Sequence, residues 1–146
     1  MTSAALRLNA GGMTRDFGMA CSADEMEAMA RTAYASLPAE FTAHLGDVIV
    51  QVEDFAEDDL LAEMDIESAY DLTGVYEGLP LPERSVEHSG TMPDRVRLFR
   101  VPILLEWVER GDVDLAYLVK HVLVHEIGHH FGLSDEDMHA LEDAAD

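Results

Sequence analysis

The most informative segment of this 146-residue chain reads His125-Glu126-Ile127-Gly128-His129-His130-Phe131-Gly132-Leu133-Ser134-Asp135. Apolar residues before and within it recur at helical spacing, so the sequence predicts a helix from about residue 113 to Phe131. Gly132 predicts the end of that helix, because glycine adopts the left-handed conformation of a C-terminal cap at little steric cost. Ser134 and Asp137 form a capping-box pattern, which predicts a last helix to about residue 144.

Two histidines of this segment can face one metal ion. Residues four apart on a helix differ by about 40° in azimuth and one turn in height, so His125 and His129 can direct both imidazoles to a single ion. Glu126 is rotated by about 100° from His125 and lies beside the ion, where a general base can take a proton from metal-activated water. Asp135 follows the turn at Gly132 and offers a carboxylate from another direction. Three such ligands leave the fourth position of a tetrahedral zinc site open, as catalysis requires.

This spacing is specific. With the composition of this chain, a His-Glu-x-x-His pattern is expected by chance roughly 0.03 times, and about 0.0002 times when Gly132 and Asp135 are also required. An ordinary polar helix face therefore explains the pattern poorly. For Asp135 alone, the alternative role is that of an acidic residue favoured at a helix start by the helix dipole.

Three further histidines lie close to the motif. His139 follows Asp135 by four residues and shares its helix face, so it is a hydrogen-bond partner of that carboxylate, an alternative ligand, or a surface residue. His121 lies one turn before the first ligand and either approaches the same cleft or is exposed or paired. His130 points away from both ligands and is not expected to bind the metal.

The remaining sequence predicts one α+β domain. Residues 1–20 contain three glycines and no clear period, so we expect a flexible N-terminal extension before a domain at residues 21–146. A Pro-containing segment, 78–93, predicts a long loop, and loops of that length are often functional. The other predicted elements are helices at 22–37, 57–64, 102–110, 113–131 and 134–144, and strands at 46–55, 71–77 and 95–101.

Composition limits the partners. The chain has 9 Lys and Arg against 30 Asp and Glu, for a formal net charge of −21. This charge argues against nucleic acid and anionic membranes, and is explained by a solvated acidic surface, a salt-adapted host or a cationic substrate. Cys21 is alone, which excludes a disulfide framework and a cysteine-based zinc site. The N-terminus lacks the unbroken apolar stretch of a signal peptide and no segment is long enough to cross a membrane, so we expect a cytoplasmic protein.

The sequence around the motif resembles a known family. The motif itself resembles the HExxHxxGxx(H/D) form of zincin metallopeptidases, which metzincins share with snapalysin-like enzymes that use Asp as third ligand. More closely, residues 22–139 resemble the small bacterial zincin-like metallopeptidases. The matching stretches are Ser36-Leu37-Pro38-Ala39-Glu40-Phe41, Gly74-Val75-Tyr76-Glu77-Gly78, Pro82-Glu83-Arg84-Ser85, Pro93-Asp94-Arg95-Val96 and Leu123-Val124-His125 through Leu133.

This resemblance implies a function. It implies a minimal zincin fold, with a small mixed sheet packed against the HExxH helix. One Zn²⁺ is then held by His125, His129 and Asp135, and Glu126 is the base in hydrolysis of a peptide or protein substrate. Because eleven residues follow Asp135 in this sequence, we expect no lower subdomain of the usual size. Met138 lies too close to Asp135 in sequence for a Met-turn. The alternative function is a metal-binding interaction or regulatory protein of the same fold without significant turnover.

Four arginines give a second candidate feature. Arg84, Arg95, Arg97 and Arg100 lie within seventeen positions and either hold a peptide carboxylate beside the metal or neutralise surrounding acids. In zincins an edge strand pairs with the substrate backbone, and by resemblance the strand Arg95–Arg100 is a candidate for that role. Arg95, Arg97 and Arg100 are therefore predicted substrate-binding residues.

Overall fold

The computed structural model describes residues 8–10, 13–15, 18–43, 45, 47–78 and 94–144. Its strands are β1 (Leu8–Ala10), β2 (Met13–Arg15), β3 (Val48–Glu53), β4 (Gly74–Glu77) and β5 (Asp94–Phe99). Its helices are α1 (Ala23–Ala35), α2 (Ala39–Thr42), α3 (Asp58–Glu63), α4 (Arg100–Arg110), α5 (Leu115–His130) and α6 (Asp135–Ala144). A 3₁₀ turn, Ala69–Asp71, precedes β4.

The main sheet is small and mixed, as predicted. Its strand order is β3-β5-β4, with β5 parallel to β3 and antiparallel to β4. In this register Val96 of β5 lies between Val50 of β3 and Tyr76 of β4. β1 and β2 form a separate antiparallel pair within the segment that the sequence predicts to be an extension. The division into an extension and a domain from residue 21 stays a prediction.

One face of the sheet packs against α1 and α5. Val96 and Leu98 of β5 are fully buried there, together with Leu118 and Leu123 of α5 and Met26 of α1. Each such side chain contributes roughly 1.5–3 kcal/mol through removal of apolar surface from water. The apolar stripe of α5 therefore fixes the helix against the sheet, and the α+β prediction is confirmed.

Local sequence signals place the helix ends. The Ser22–Glu25 capping box is present, with Ser22 Oγ accepting from the Glu25 N–H at 3.1 Å and Glu25 Oε1 accepting from the Ser22 N–H at 2.8 Å. Gly132 has φ +70°, the left-handed conformation predicted for the end of α5. The predicted loop at 78–93 lies, apart from residue 78, outside the described residues. None of the helices in the described ranges is long and apolar enough to cross a membrane.

The opposite face of the sheet carries a charged network around Arg97. The Arg97 guanidinium is only 5% exposed and contacts Glu53 at 2.7 Å, Glu57 at 2.5 Å and Glu77 at 3.0 Å. It also lies 5.4 Å from the centre of the Phe99 ring, which belongs to a second apolar cluster with α3. A buried arginine among three carboxylates links its own strand β5 to β3, to β4 and to the start of α3.

The edge-strand prediction for residues 95–100 is wrong. β5 pairs on both sides and is the central strand, so its backbone donors and acceptors are used within the sheet. The predicted role of the arginines in binding a peptide carboxylate relies on an exposed strand edge, and β5 does not provide one. Arg84 lies outside the described residues. The contacts of the other three arginines agree with the interpretation that they neutralise acids: Arg95 with Glu77 at 2.6 Å, Arg97 with its three glutamates, and Arg100 with Asp54 at 3.2 Å. Arg95 also contacts Gln51 at 3.3 Å, and Arg100 the Cys21 carbonyl oxygen at 2.6 Å.

Replacing Arg97 by methionine is expected to lower the free energy of unfolding by about 2 kcal/mol. The change removes the shared Arg97 cation from three carboxylates, of which Glu77 keeps its pair with Arg95, and all three are 32–55% exposed, so water offsets part of the loss. Urea unfolding followed by circular dichroism measures the effect. The matched control is Arg31→Met, which removes an exposed pair with Glu27 on α1 and should cost under about 0.5 kcal/mol. Equal losses in the free energy of unfolding for the two substitutions would show that the buried network stabilises the protein no more than an exposed ion pair does.

Candidate metal centre

The two histidines of the motif lie together on α5. The ring centres of His125 and His129 are 4.2 Å apart, with His125 half-buried and His129 exposed. His121 continues the same face, with its ring centre 6.1 Å from that of His125. The i, i+4 spacing thus produces the predicted pair of adjacent imidazoles.

Glu126 lies on the side of α5 that faces β4. A Cβ placed on Gly74 would lie 3.2 Å from Glu126 Cγ, so this strand passes close beside the carboxylate-bearing side chain. Burial raises the pKa of Glu126 to about 7. A carboxylate in this range is well matched to taking up and returning a proton near neutral pH.

The electrostatics of His125 favour a neutral ring. Burial, followed by the neighbouring His129 and His121, lowers the pKa of His125 below its ordinary value, whereas the charges of Asp135 and Glu142 act in the opposite direction. Neutral imidazole is the form that binds a metal ion. The charge of Asp135 therefore acts on His125, although Asp135 is exposed at the first residue of α6.

The position of α6 depends on a tight contact with α5. A Cβ on Gly128 would collide with Met138 Sδ and lie 2.6 Å from Met138 Cγ, so α6 packs where α5 has no side chain. Met138 is 4% exposed and lies in a small cluster with Leu37 and Val124. The Leu133 N–H also donates to the Gly128 carbonyl at 2.8 Å, which closes the turn between the helices.

A second contact holds the far end of α6. Glu142 is 4% exposed, and its Oε1 lies 2.9 Å from His121 Nδ1. Lys120 Nζ donates to the Glu142 carbonyl oxygen at 2.6 Å. From the sequence, His121 either approaches the cleft or is exposed or paired; the structure pairs it with Glu142 and also places it in the wall of a cavity shared with His125 and Glu126. The partner could not be identified from sequence because it lies 21 residues away on another helix.

Replacing Gly128 by alanine is expected to destabilise the protein by about 1–3 kcal/mol, because the new methyl group overlaps Met138. The sign of this change in the free energy of unfolding tests the contact, because replacing glycine by alanine within a helix otherwise stabilises a protein by about 1 kcal/mol. Urea unfolding of Gly128→Ala, Met138→Ala and the double variant tests this contact. Met138→Ala removes the collision, so the double variant should be at least 1 kcal/mol more stable than the sum of single effects predicts. Additive effects would contradict the proposed docking of α6.

A comparison of the sequence with protein families identifies one family. The sequence model of the zincin-like metallopeptidase family matches residues 45–145, most of the chain. The chain belongs to this family. The family resemblance predicted from the motif and the surrounding stretches is thereby confirmed. A search of curated proteins finds no match to this chain.

Membership of the zincin-like family implies zinc, and the donors present fit zinc in kind. Two imidazole nitrogens and one carboxylate oxygen are ligands that Zn²⁺ commonly takes. The described residues contain no group of three His, Cys, Asp or Glu side chains gathered closely enough to hold a metal ion. His125 and His129 are adjacent, whereas Asp135 is not gathered with them. The assignment of His125, His129 and Asp135 as zinc ligands stays a prediction.

The two remaining histidines near the motif, His139 and His130, lie on different elements. His139 is exposed on α6, and its role as a second ligand or hydrogen-bond partner stays a prediction. His130 stacks on Tyr76 of β4, with ring centres 4.0 Å apart, and Tyr76 Oη donates to Asp94 Oδ2 at 2.7 Å. This stack ties the end of α5 to β4. Of the three described strands of this sheet, β4 is an outer one and lies beside the motif, whereas β5 is the central one.

Proposed function

We propose that this zincin-like protein is a zinc-dependent peptidase that uses Glu126 as its general base. The observation that supports the proposal best is the position of Glu126, half-buried next to the adjacent imidazoles of His125 and His129. In this proposal His125, His129 and Asp135 hold one zinc ion. Zinc, when bound, supplies a Lewis acid that polarises a carbonyl group and lowers the pKa of water towards about 7.

The side chain of Glu126 handles the proton in this proposal. The carboxylate takes a proton from the attacking water, holds it on an oxygen that burial makes unusually basic, and returns it to the leaving amine. Gly74 leaves room for this side chain beside β4. A residue with a Cβ at position 74 would also approach the Arg97 carbonyl oxygen to 3.2 Å, so the close packing of strand and base depends on glycine there.

The proposed substrate is a peptide or protein segment in an extended conformation. β4 runs alongside the Glu126 side chain and is an outer strand of the three described strands of its sheet, so we take it as the strand beside which an extended substrate would lie. Nucleic acid and anionic membrane surfaces are not expected as partners, because the net charge is −21.

Zinc stoichiometry combined with a peptide-cleavage screen tests this function. Protein purified without chelator is expected to hold about one zinc by elemental analysis, and to cleave members of a mixed peptide library detected by mass spectrometry. The same protein after chelator treatment should lose cleavage and regain it on addition of one equivalent of zinc. Tightly bound zinc without any cleavage would overturn the peptidase proposal.

A second candidate function is a metal-binding interaction protein without turnover. One observation favours it: three donor side chains are not gathered at one point in the described residues. A site that forms only when the metal binds suits a protein whose conformation or partner binding is changed by zinc. This candidate predicts that zinc raises stability in the wild type and in Glu126→Gln alike, with no cleavage by either protein.

A further inference from the structure

A cavity of about 180 Å³ opens directly beside the proposed base. It lies between α4 and α5 next to the segment that leads into β4, and its lining residues are Thr73, Glu106, His121, Val122, His125 and Glu126. Pockets for whole drug-sized ligands are larger, about 300–1,000 Å³. This cavity therefore suits a single amino-acid side chain of a substrate whose scissile bond lies at Glu126.

The walls of the cavity are acidic. Glu106 comes from α4 and is half-buried, and no lysine or arginine is among the described residues that line the cavity. Behind the His121 wall lies the nearly fully buried carboxylate of Glu142, 2.9 Å from His121 Nδ1. A side chain entering the cavity thus meets the carboxylate of Glu106 on α4 and the imidazole of His121, which is backed by a second acid, Glu142.

The cation nearest to Glu106 can be displaced. Arg110 contacts Glu106 at 2.8 Å, but both side chains are over one-third exposed and the pair is of the i, i+4 type. Such helix pairs contribute only about 0.3–0.5 kcal/mol, so a cation bound within the cavity can replace Arg110 at little cost.

We propose that this cavity is the subsite for a lysine or arginine side chain next to the scissile bond, with Glu106 as the specificity-determining carboxylate. The inference rests on the proposed peptidase function and names its substrate class: basic peptides. The charge of the whole molecule supports it, because a protein at −21 attracts cationic peptides and repels acidic ones before any contact forms.

Matched peptides test the inference through hydrolysis. Blocked octapeptides that differ only by Lys, Gln or Glu at a residue flanking the cleaved bond are compared by kcat/KM. The wild type is expected to prefer Lys over Gln by about 10-fold or more, and Glu106→Gln should reduce this ratio to near one. Arg110→Gln should keep or increase the preference, because it removes the competing cation.

A control separates the cavity from the general charge of the protein. Glu109 is exposed on the same helix and does not line the cavity, so Glu109→Gln changes net charge equally. This variant should keep the Lys preference of the wild type. Equal loss of preference in Glu109→Gln and Glu106→Gln would overturn the subsite, because bulk charge alone would then explain the selectivity.

A binding measurement tests the subsite without depending on peptide cleavage. Fluorescence anisotropy with the labelled Lys and Gln peptides is measured on zinc-loaded Glu126→Gln and on Glu126→Gln/Glu106→Gln. Tighter binding of the Lys peptide that disappears in the second protein supports the subsite. Equal affinities for the two peptides overturn it, whether or not the wild type cleaves them. Absence of cleavage by the wild type overturns the peptidase function alone.

Discussion

Replacing Glu126 by glutamine is expected to reduce kcat/KM for peptide hydrolysis by about 10³-fold, within the range of about 10²–10⁴ that general acid–base catalysis contributes. Glutamine has the same shape but takes no proton from water. In the proposed function Glu126 is not a ligand, so the variant should still bind about one zinc per chain. Initial rates on the peptides identified by the cleavage screen, together with elemental analysis, measure both effects.

Two controls show that the loss comes from chemistry and not from folding. At pH 8 the variant should be at least as stable to urea as the wild type, because a neutral amide suits this half-buried position better than an ionised carboxylate whose pKa burial raises to about 7. Glu136→Gln, an exposed residue of α6, removes the same charge and should leave the rate unchanged. Full activity of Glu126→Gln would disprove the mechanism.

The features that depend on neighbouring residues in sequence were predictable. The boundaries of α5, its glycine cap and the adjacent pair of imidazoles follow from one helical period and one turn. The family also follows from this segment, because the chemistry of the motif constrains residue types at fixed spacing. Both capping boxes are present for the same reason, since each is completed within four residues.

The features that depend on distant partners were not predictable. The pattern of β5, in which Arg95 and Arg97 alternate with apolar residues, resembles that of a half-exposed edge strand. Arg97 is nevertheless buried, because Glu53 and Glu77 from the flanking strands and Glu57 from the start of α3 converge on it. Alternation reports which residues share a face of a strand, but not whether charges from other strands make that face an interior.

The placement of Asp135 depends on similar long-range contacts. The sequence predicts a turn and a helix after Gly132, but the direction of α6 is determined by Met138 packing on Gly128 and by the contact of Glu142 with His121. These contacts leave Asp135 exposed at the start of α6, within electrostatic reach of His125. The identity of the third ligand is therefore the part of the site that most needs measurement.

Single replacements of the proposed ligands should produce a ranked loss of zinc affinity. His125→Ala removes one of the two adjacent imidazoles and is expected to weaken binding by well over 100-fold, beyond the roughly 10–100-fold typical of residues outside the ligand set. Asp135→Ala should also exceed about 100-fold if its carboxylate is the third ligand. His139→Ala, the matched control on the same helix, should change affinity by under about 10-fold.

Competition against a chelator of known zinc affinity is the appropriate measurement, because a chain with net charge −21 also binds divalent ions weakly and non-specifically. Weakly held zinc is removed by the chelator in every variant, so the competition reports the specific site alone. If Asp135→Ala retains wild-type affinity while His139→Ala loses more than about 100-fold, the third ligand is His139. An imidazole would then replace the carboxylate that the motif predicts. If both variants retain tight zinc, a residue outside the motif completes the site, and the His125–His129 pair remains its only predicted part.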